Sequence, residues 1–424
     1  MNFVMNLPLP FKIIAGLILL FGVILGGCEW KMEADLSAAR EQARKAGIAI
    51  DYKEFRQHLP VVTDEQNGAE VIKKLAALKP SRSPAEAEAL KVLYKPNPAA
   101  VDWATIEAIQ PQLDRFSAEA DHLEGKTAND FKREWELGFD VAFPEYAQIK
   151  SSIKMIGLRA RLLAHRGDRL GALKELRKAF ILSELIDTEP TLISVLVTIA
   201  SEAICFHVLG LVIEEKPLSK EERDVVADIR KILGTPKAFG TSIHGEAAAV
   251  YMTFMKGTSN SILQLGNQDP NNVMVTFFLK TSYKKVVLAE FLNSLVKLNN
   301  ISSDESLSPK EMFVKAQEFD EQITTFSKND LKKAITASFL PQFGQVALAH
   351  AKRYAFRNLI DGLLDKPMAN DPFTETPMKK KSMQNGTLYY SVGVNLKDDG
   401  GVTYDATGKL ISGKDDIALF IPNK

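Results

Sequence analysis

The chain has 424 residues and carries 53 basic and 53 acidic side chains, so its formal net charge at pH 7 is zero. A surface that binds nucleic acid needs a basic excess, and this balance argues against one. The length corresponds to two or three average domains, although a helical array of this size can form a single body.

The first 27 residues are predicted to be a targeting segment. Lys12 is the only charged side chain before Cys28, and the uncharged run that follows it is fifteen residues long. This length suits the hydrophobic region of a signal peptide, roughly 7 to 15 residues, better than a membrane-spanning helix of about 20. The run ends in Leu25-Gly26-Gly27-Cys28, which resembles a bacterial lipobox, so we predict lipidation of Cys28. An uncleaved N-terminal membrane anchor is the alternative.

The residue after the cysteine bears on the location of the protein. Glu29 stands where an aspartate is associated with retention in the inner membrane. By that analogy we expect an exported protein that is anchored on the periplasmic side, with the outer membrane favoured over the inner one.

Between residues 32 and 364 the spacing of apolar side chains predicts a succession of amphipathic helices. Pro111 is expected to split one of them, because proline removes a backbone donor inside a helix. The range 146–233 forms the centre, with three or four consecutive helices and a Gly167-Asp168 turn in its first hairpin. That hairpin resembles one tetratricopeptide unit, but no second copy recurs at a fixed period. The predicted fold is therefore mainly α, an irregular array of antiparallel helical hairpins.

A group of aromatic residues precedes this centre. Phe131, Trp135, Phe139 and Phe143 are irregularly spaced, and we expect them to pack as a satellite cluster. The carboxylates beside Trp135 are of the type found in sugar-hydrolysing sites, although solvated charges on a helix explain them better. These carboxylates are Glu134, Glu136 and Asp140.

The range 191–212 is nearly all apolar and is predicted to form the most buried helix of the fold. Cys205 lies within it, so we expect a buried thiol and, with Cys28 lipidated, no disulfide. Leu196 and Ile199 are expected to be core positions. Replacement of Leu196 by alanine is then expected to cost about 2–5 kcal/mol through a cavity.

The composition changes after residue 370, where short segments predict β-strands beside the turn signals Asn385-Gly386 and Thr407-Gly408. The predicted strands span 387–392, 401–404, 409–411 and 417–421. A β-rich module of about fifty residues is too small to fold well alone, so we expect it to dock on the helices. The predicted division is a signal segment at 1–27, a helical domain at 28–366 and a small β-rich C-terminal module at 367–424.

Four short motifs in this module resemble those of a set of uncharacterised exported bacterial helical proteins. They are Asp371-Pro372-Phe373, Tyr390-Ser391-Val392-Gly393, Asp398-Asp399-Gly400-Gly401 and Asp415-Asp416-Ile417. The central helices, including Glu189-Pro190-Thr191, are similar to that set too, but the set has no assigned activity to carry over. The tail also resembles the C-terminus of the major pseudopilin of type II secretion, in which a Tyr-Ser-Leu-Gly turn and later aspartates hold calcium. This chain departs from that pattern at Asn395-Leu396 and lacks a pilin N-terminus.

The carboxylates of the tail are the one constellation that suggests a cofactor. Calcium takes about six to eight oxygen ligands, and loop aspartates with turn carbonyls are their usual source. Asp398, Asp399, Asp415 and Asp416 are the predicted ligands, with Asp405 nearby in the sequence. The alternative is that these aspartates cap turns and face water.

No recognised catalytic motif is found in the sequence. The six histidines include no His-Glu-x-x-His motif, and the stretch around Ser242 places its second glycine one residue late for a nucleophile elbow. The leading hypothesis is therefore a membrane-anchored, lipoprotein-like scaffold or protein-binding module of the cell envelope, with an unknown protein partner and no nucleic acid. The alternative is an envelope hydrolase with its site between helices.

Overall fold

The computed structural model describes residues 9–78, 83–95, 101–214, 216–237, 239–256, 281–327, 330–337, 339–340, 342–402 and 411–423. Within these ranges the chain is built mainly of α-helices, with a three-stranded antiparallel sheet near the C-terminus. The predicted fold class, a helical array with a small β-rich cap, is confirmed.

The elements are numbered in chain order. Before the centre lie α1 (Leu9–Lys45), α2 (Tyr52–Phe55), α3 (Ala69–Ala77), α4 (Pro84–Val92), α5 (Trp103–Glu107) and α6 (Gln110–Ala120). The centre comprises α7 (Tyr146–His165), α8 (Arg169–Ile186), α9 (Leu192–Ile213) and α10 (Lys220–Leu233). After it come α11 (Thr241–Lys256), α12 (Tyr283–Ser302), α13 (Pro309–Ser327), α14 (Leu331–Ala337) and α15 (Phe343–Leu363). Short 3-10 helices span Arg56–His58, Asp121–Leu123 and Trp135–Asp140, and the strands are β1 (Lys379–Met383), β2 (Gly386–Ser391) and β3 (Ile417–Pro422).

Local sequence signals set the ends of the central helices. Gly167 turns the chain between α7 and α8 with a φ of 85°, a value that is easily reached without a Cβ. The Asp168 carboxylate then caps α8 by accepting from the Gly171 N–H at 2.8 Å. Ser219 and Glu222 form a capping box at the start of α10. Helix α8 packs against α7, α9 and α10, so these four helices share one core.

Helix α9 is less enclosed than its composition predicts. Leu196 is 44% exposed and Ile193 40%, whereas Ile199 is only 7% exposed. The predicted burial of Leu196 is therefore wrong. The inward side of α9 carries Thr198 and Glu202 instead, because α8 and α15 supply hydrogen-bond partners for these side chains. A nearly uniform apolar sequence has little amphipathic signal, so its periodicity could not orient the helix.

Helix α1 belongs to the folded body from Leu36 onward, where its side chains enter a second core shared with α11, α12 and α15. Helix α12 runs beside it in the same direction. Lys285 near the start of α12 pairs with Glu33 at 2.9 Å, and Asn299 near its end donates to the Ala46 carbonyl at 3.0 Å. The charged half of α1 is thus packed at both ends of its length.

The C-terminal sheet has the order β1-β2-β3, with both pairs antiparallel. Strand β1 lies outside the predicted strands, because an exposed lysine-rich edge lacks an alternating apolar pattern. The strand predicted at 401–404 is wrong at Gly401 and Val402, which are in no strand. Residues 403–410, which include Asp405, the Thr407-Gly408 turn and most of the strand predicted at 409–411, lie outside the described residues. Strand β3 packs against α9 and α15.

Candidate functional site

A cavity of about 360 Å³ opens between α11, the start of α9 and the short helix Trp135–Asp140. Four aromatic side chains and one carboxyl group line it, and we call it the Glu246 pocket. Its lining residues are Phe55, Trp135, Gly138, Phe139, Val141, Phe143, Thr191, Ile193, Gly245, Glu246, Ala248 and Ala249. Ligand sites are typically concave and largely apolar with a few placed polar groups, so this cavity is the candidate site.

Two glycines let the walls of the pocket approach one another. Gly138 has a φ of 62°, and a Cβ at this position would lie 2.6 Å from the hydroxyl oxygen of Thr253. A Cβ at Gly245 would lie 2.4 Å from the carbonyl oxygen of Pro190. Both contacts are too short for a side chain, so α11 reaches the 135–140 helix and the segment before α9 because glycine stands at both points.

Buried interactions hold the aromatic walls in place. The guanidinium carbon of Arg133 lies 4.4 Å from the ring centroid of Phe143, where a cation is attracted to the ring face. Glu189 accepts two hydrogen bonds from that guanidinium, at 2.8 and 3.0 Å, a bidentate pair that fixes its orientation. The rings of Phe55 and Trp135 meet edge to face with centroids 4.9 Å apart. These walls are therefore preorganised.

Glu246 is the one ionisable side chain in the described lining. It projects from α11 toward the first turn of α9, where the Leu192 N–H donates to Glu246 Oε1 at 3.4 Å. Glu246 is half-buried. The loss of water around its carboxyl group, for which this long hydrogen bond compensates little, raises the pKa of Glu246 from 4.5 to about 7. At neutral pH the group is present in both protonation states.

No family model, curated protein or solved structure matches this chain. The geometry and chemistry of the pocket carry the functional assignment. A carboxyl group among aromatic rings is suited to a small ligand that places apolar parts against the rings and one polar or charged group against Glu246. The side-chain hydroxyl in the described lining is that of Thr191, which accepts from the Ser194 N–H at 3.3 Å as the cap of α9.

The predicted lipidation site, Cys28, is exposed on α1. Trp30, two residues further on, is 75% exposed, and Leu36 in the same helix is buried. Cys205 is buried in α9, as predicted. Among the described residues, α9 is also the helix that is long and apolar enough to cross a membrane, but 61% of its apolar stretch is buried, as in a core helix.

Two of the aspartates in the predicted calcium site accept hydrogen bonds from backbone turns of the C-terminal module. Asp415 accepts from the Val394 N–H at 2.9 Å. Asp416 accepts from the N–H groups of Asp399 and Gly401 at 3.0 and 2.7 Å. Burial, with the nearby charge of Asp399, raises the pKa of Asp416 to about 6. These hydrogen bonds are the turn chemistry that short acidic side chains favour.

The other two aspartates also have partners. Asp398 accepts from the Tyr390 hydroxyl at 3.0 Å and pairs with Lys379 at 3.2 Å. Asp399 accepts from the side-chain amide of Asn395 at 2.7 Å. In the part of the chain that the structure describes, no group of three or more His, Cys, Asp or Glu side chains is placed to hold a metal ion. The calcium site stays a prediction, and the turn-capping alternative accounts for the contacts observed.

The first motif of the cap has a structural role. The Asp371 carboxylate is 1% exposed and accepts from the Ser391 hydroxyl and the Val392 N–H, both at 3.0 Å. It also accepts from the Phe373 N–H at 2.8 Å. One carboxylate thus ties the Asp-Pro-Phe motif to the end of β2, so the residues that carry the sequence resemblance hold the cap together.

A buried ion-pair cluster joins α8, α9 and α15. Arg353 and Arg357 are 0% and 2% exposed, and they donate to Glu202 at 2.8 and 3.0 Å. Arg353 also donates to Asp187 at 3.1 Å and to Glu184 at 3.3 Å. Burial favours the protonated form of Glu202, but the charges of the two arginines outweigh it and lower the pKa of Glu202. Burial raises the pKa of Glu184 well above its usual range. Burial also raises the pKa of Asp187. Two buried arginines therefore face three carboxyl groups, an arrangement that joins three helices.

Glu246 is not among the site residues predicted from the sequence, although the sequence does contain a feature that marks it. It is the single charged residue between 245 and 255, a run otherwise rich in alanine and apolar residues. Trp135 of the predicted aromatic cluster does line the pocket, whereas the carboxylates beside it are exposed. Those exposed carboxylates are Glu134, Glu136 and Asp140. Ser242 is buried and donates to the Phe239 carbonyl at 2.5 Å, so its hydroxyl is not presented as the nucleophile of an elbow would be.

Proposed function

We propose that the chain is a membrane-tethered protein of the bacterial cell envelope that binds a small, largely apolar ligand in the Glu246 pocket. The observation that carries this proposal is the cavity itself, about 360 Å³ enclosed by four aromatic rings and one carboxyl group. That volume equals about a dozen water molecules at ~30 Å³ each, so it suits a ligand of modest size. Each Å² of apolar surface moved from water into such a cavity contributes about 25 cal/mol.

Binding also explains the position of Glu246. A buried carboxyl group lowers stability unless a partner satisfies it, and its hydrogen bond to the Leu192 N–H is long at 3.4 Å. A ligand with a matching polar group would supply the missing partner. A hydrolase would place a second acid, base or nucleophile beside Glu246. The other side chains with polar atoms in the described lining are Thr191, whose hydroxyl is engaged as a helix cap, and Trp135, whose indole N–H is none of these. The geometry therefore favours binding over the hydrolase alternative.

A pocket-filling variant tests this proposal. In Ala249→Phe a ring would occupy the cavity, so binding of the apolar fluorescent probe N-phenylnaphthylamine to the full-length chain in detergent should fall at least tenfold, as a rough estimate. Ala118 is exposed on α6, and Ala118→Phe is the matched control, with the same detergent background. Equal probe binding by the wild type and both variants would overturn the proposal.

The tether has its own test. The exposed position of Cys28, eight positions before the buried Leu36, supports processing and lipid attachment there. In cells fed a labelled fatty acid, Cys28→Ser should abolish labelling of the precursor and block its processing. A variant that is labelled, processed and fractionated like the wild type would show that Cys28 carries no lipid.

Exposed apolar side chains beside the pocket favour a second candidate, the protein-binding scaffold predicted from the sequence. Phe139 and Ile193 at the pocket are 37% and 40% exposed, and Leu196 follows on the same helix at 44%. Adjacent exposed apolar groups are a feature of protein interaction surfaces. A photo-crosslinking residue at Leu196 should then give a discrete adduct in cells, absent when the same residue replaces Ala118. Equal crosslinking at both positions would exclude this surface.

A further inference from the structure

We infer that the ligand of the Glu246 pocket is a small organic cation, a substituted ammonium group whose charge faces Glu246 and whose carbon groups contact the aromatic walls. This inference rests on the proposed function and specifies the chemical class of the ligand. It follows from the ring faces, from the carboxyl group and from the charges that surround the cavity.

The aromatic walls favour a positive charge. The face of an aromatic ring is electrostatically negative, and an ammonium group within about 6 Å of the centroid is attracted to it, most strongly by tryptophan. Phe55, Trp135, Phe139 and Phe143 bring four such rings to one cavity. The described lining contains no basic side chain that could neutralise an anion. The walls thus select cations over anions, and the rings also accept the carbon groups of a substituted ammonium.

The carboxyl group adds a full negative charge to this selection. Glu246 Oε1 accepts from the Leu192 N–H at 3.4 Å, a distance near the limit of a hydrogen bond. A cation in the pocket would lie in surroundings of low polarity, where opposite charges attract far more strongly than in water. A neutral ligand of the same shape would gain the apolar contacts without this attraction.

Two charged groups near the pocket, Arg133 and Glu54, are paired with other side chains. Arg133, behind the ring of Phe143, is held by Glu189 at 2.8 and 3.0 Å. On the side of α2, Glu54 pairs with Arg44 at 2.7 Å. The pocket therefore has one carboxyl group to offer an incoming cation.

Two histidines and two carboxylates are the neighbouring titratable groups on the elements that pack beside Glu246. On α11, His244 stacks on His58 with ring centroids 3.9 Å apart. Burial lowers the pKa of His244 to about 4, so this imidazole is mainly neutral between pH 6 and 8, and burial also lowers the pKa of His58. From the 135–140 helix, Glu136 and Asp140 are exposed to solvent.

The experiment compares choline with its neutral isostere dimethylbutanol, in which a carbon atom replaces the ammonium nitrogen. Calorimetric titration of the full-length chain in detergent at pH 8 should show choline binding at least about tenfold more tightly, through the charge on Glu246. Glu246→Gln keeps the shape of the side chain and should remove the preference. Equal affinities for the two probes, or a preference that survives in Glu246→Gln, would overturn the inference.

The pH dependence gives a second readout. With the pKa of Glu246 at about 7, the ionised fraction is about nine-tenths at pH 8 and one-tenth at pH 6. Because apparent affinity scales with the competent fraction, choline should bind about tenfold more weakly at pH 6. In Glu246→Gln the affinity should not change with pH.

The arms of the experiment separate the two proposals. Binding of the apolar probe that Ala249→Phe abolishes, together with no preference for choline, would refute the cationic ligand and leave the binding function standing. If Ala249→Phe changed the binding of neither the apolar probe nor choline, both proposals would be refuted.

Discussion

Replacement of Glu246 by glutamine should make the protein more stable at high pH. The folded state raises the pKa of Glu246 from 4.5 to about 7, so the folded chain binds a proton that the unfolded chain releases. The stability linked to this group is fully present below about pH 4.5 and is lost as the pH rises through about 7. At about 1.4 kcal/mol per pKa unit, the full effect is roughly 3 kcal/mol.

Urea unfolding of the full-length chain in detergent at pH 5 and pH 8 measures this effect. The wild type should lose up to about 3 kcal/mol of unfolding free energy relative to Glu246→Gln between these values, because both proteins share every other titrating group. Glu134 is exposed in the same region, and Glu134→Gln serves as the control, with a pH dependence parallel to that of the wild type. Parallel curves for Glu246→Gln and the wild type would refute the burial of this carboxyl group.

Three further predictions concern the helices, the ion cluster and the cap. Ile199→Ala should lower the free energy of unfolding by about 2–5 kcal/mol, because Ile199 is 7% exposed. Leu196→Ala, at a 44% exposed position, should lower it by less than about 1 kcal/mol. The reverse order of the two values would contradict the observed orientation of α9. Arg353→Met removes a partner of the buried Glu202 and should lower the free energy of unfolding by about 3–5 kcal/mol. The double variant that also carries Glu202→Leu should recover part of this loss. A double variant less stable than Arg353→Met would argue against an unpaired Glu202 as the cause. If calcium bridges the aspartates of the cap, excess calcium should raise the melting temperature and a chelator lower it, and Asp415→Asn should remove the difference; identical melting curves would leave these side chains as the backbone caps that the structure shows.

Local signals in the sequence predicted much of the helical framework. Ser219 and Glu222 form a capping box, as do Ser308 and Glu311. Pro111 marks the expected split, with α5 ending at Glu107 and α6 beginning at Gln110. Each of these features depends on residues within one turn of a helix end, so neighbouring positions carry the whole signal.

Features that depend on partners distant in the sequence could not be predicted in this way. The orientation of α9 is set by Glu202, whose partner Arg353 lies 151 residues later. The Glu246 pocket joins side chains from residue 55 to residue 249, and no local pattern reports that they meet. The aspartates of the cap were open to two interpretations because a calcium loop and a set of turn caps use the same residue type.

The course of α1 has a consequence for how the protein would sit at a membrane. Eight residue steps lead along the helix from Cys28 to Leu36, which is buried in the core, and at 1.5 Å per step they span about 12 Å. These residues belong to an unbroken helix, whereas a linker rich in glycine and serine would behave as a flexible coil. A lipid on Cys28 would therefore hold the folded body at a fixed distance from the membrane surface and within a narrow range of tilt angles. The direction from which a ligand reaches the pocket would then be set by the bilayer.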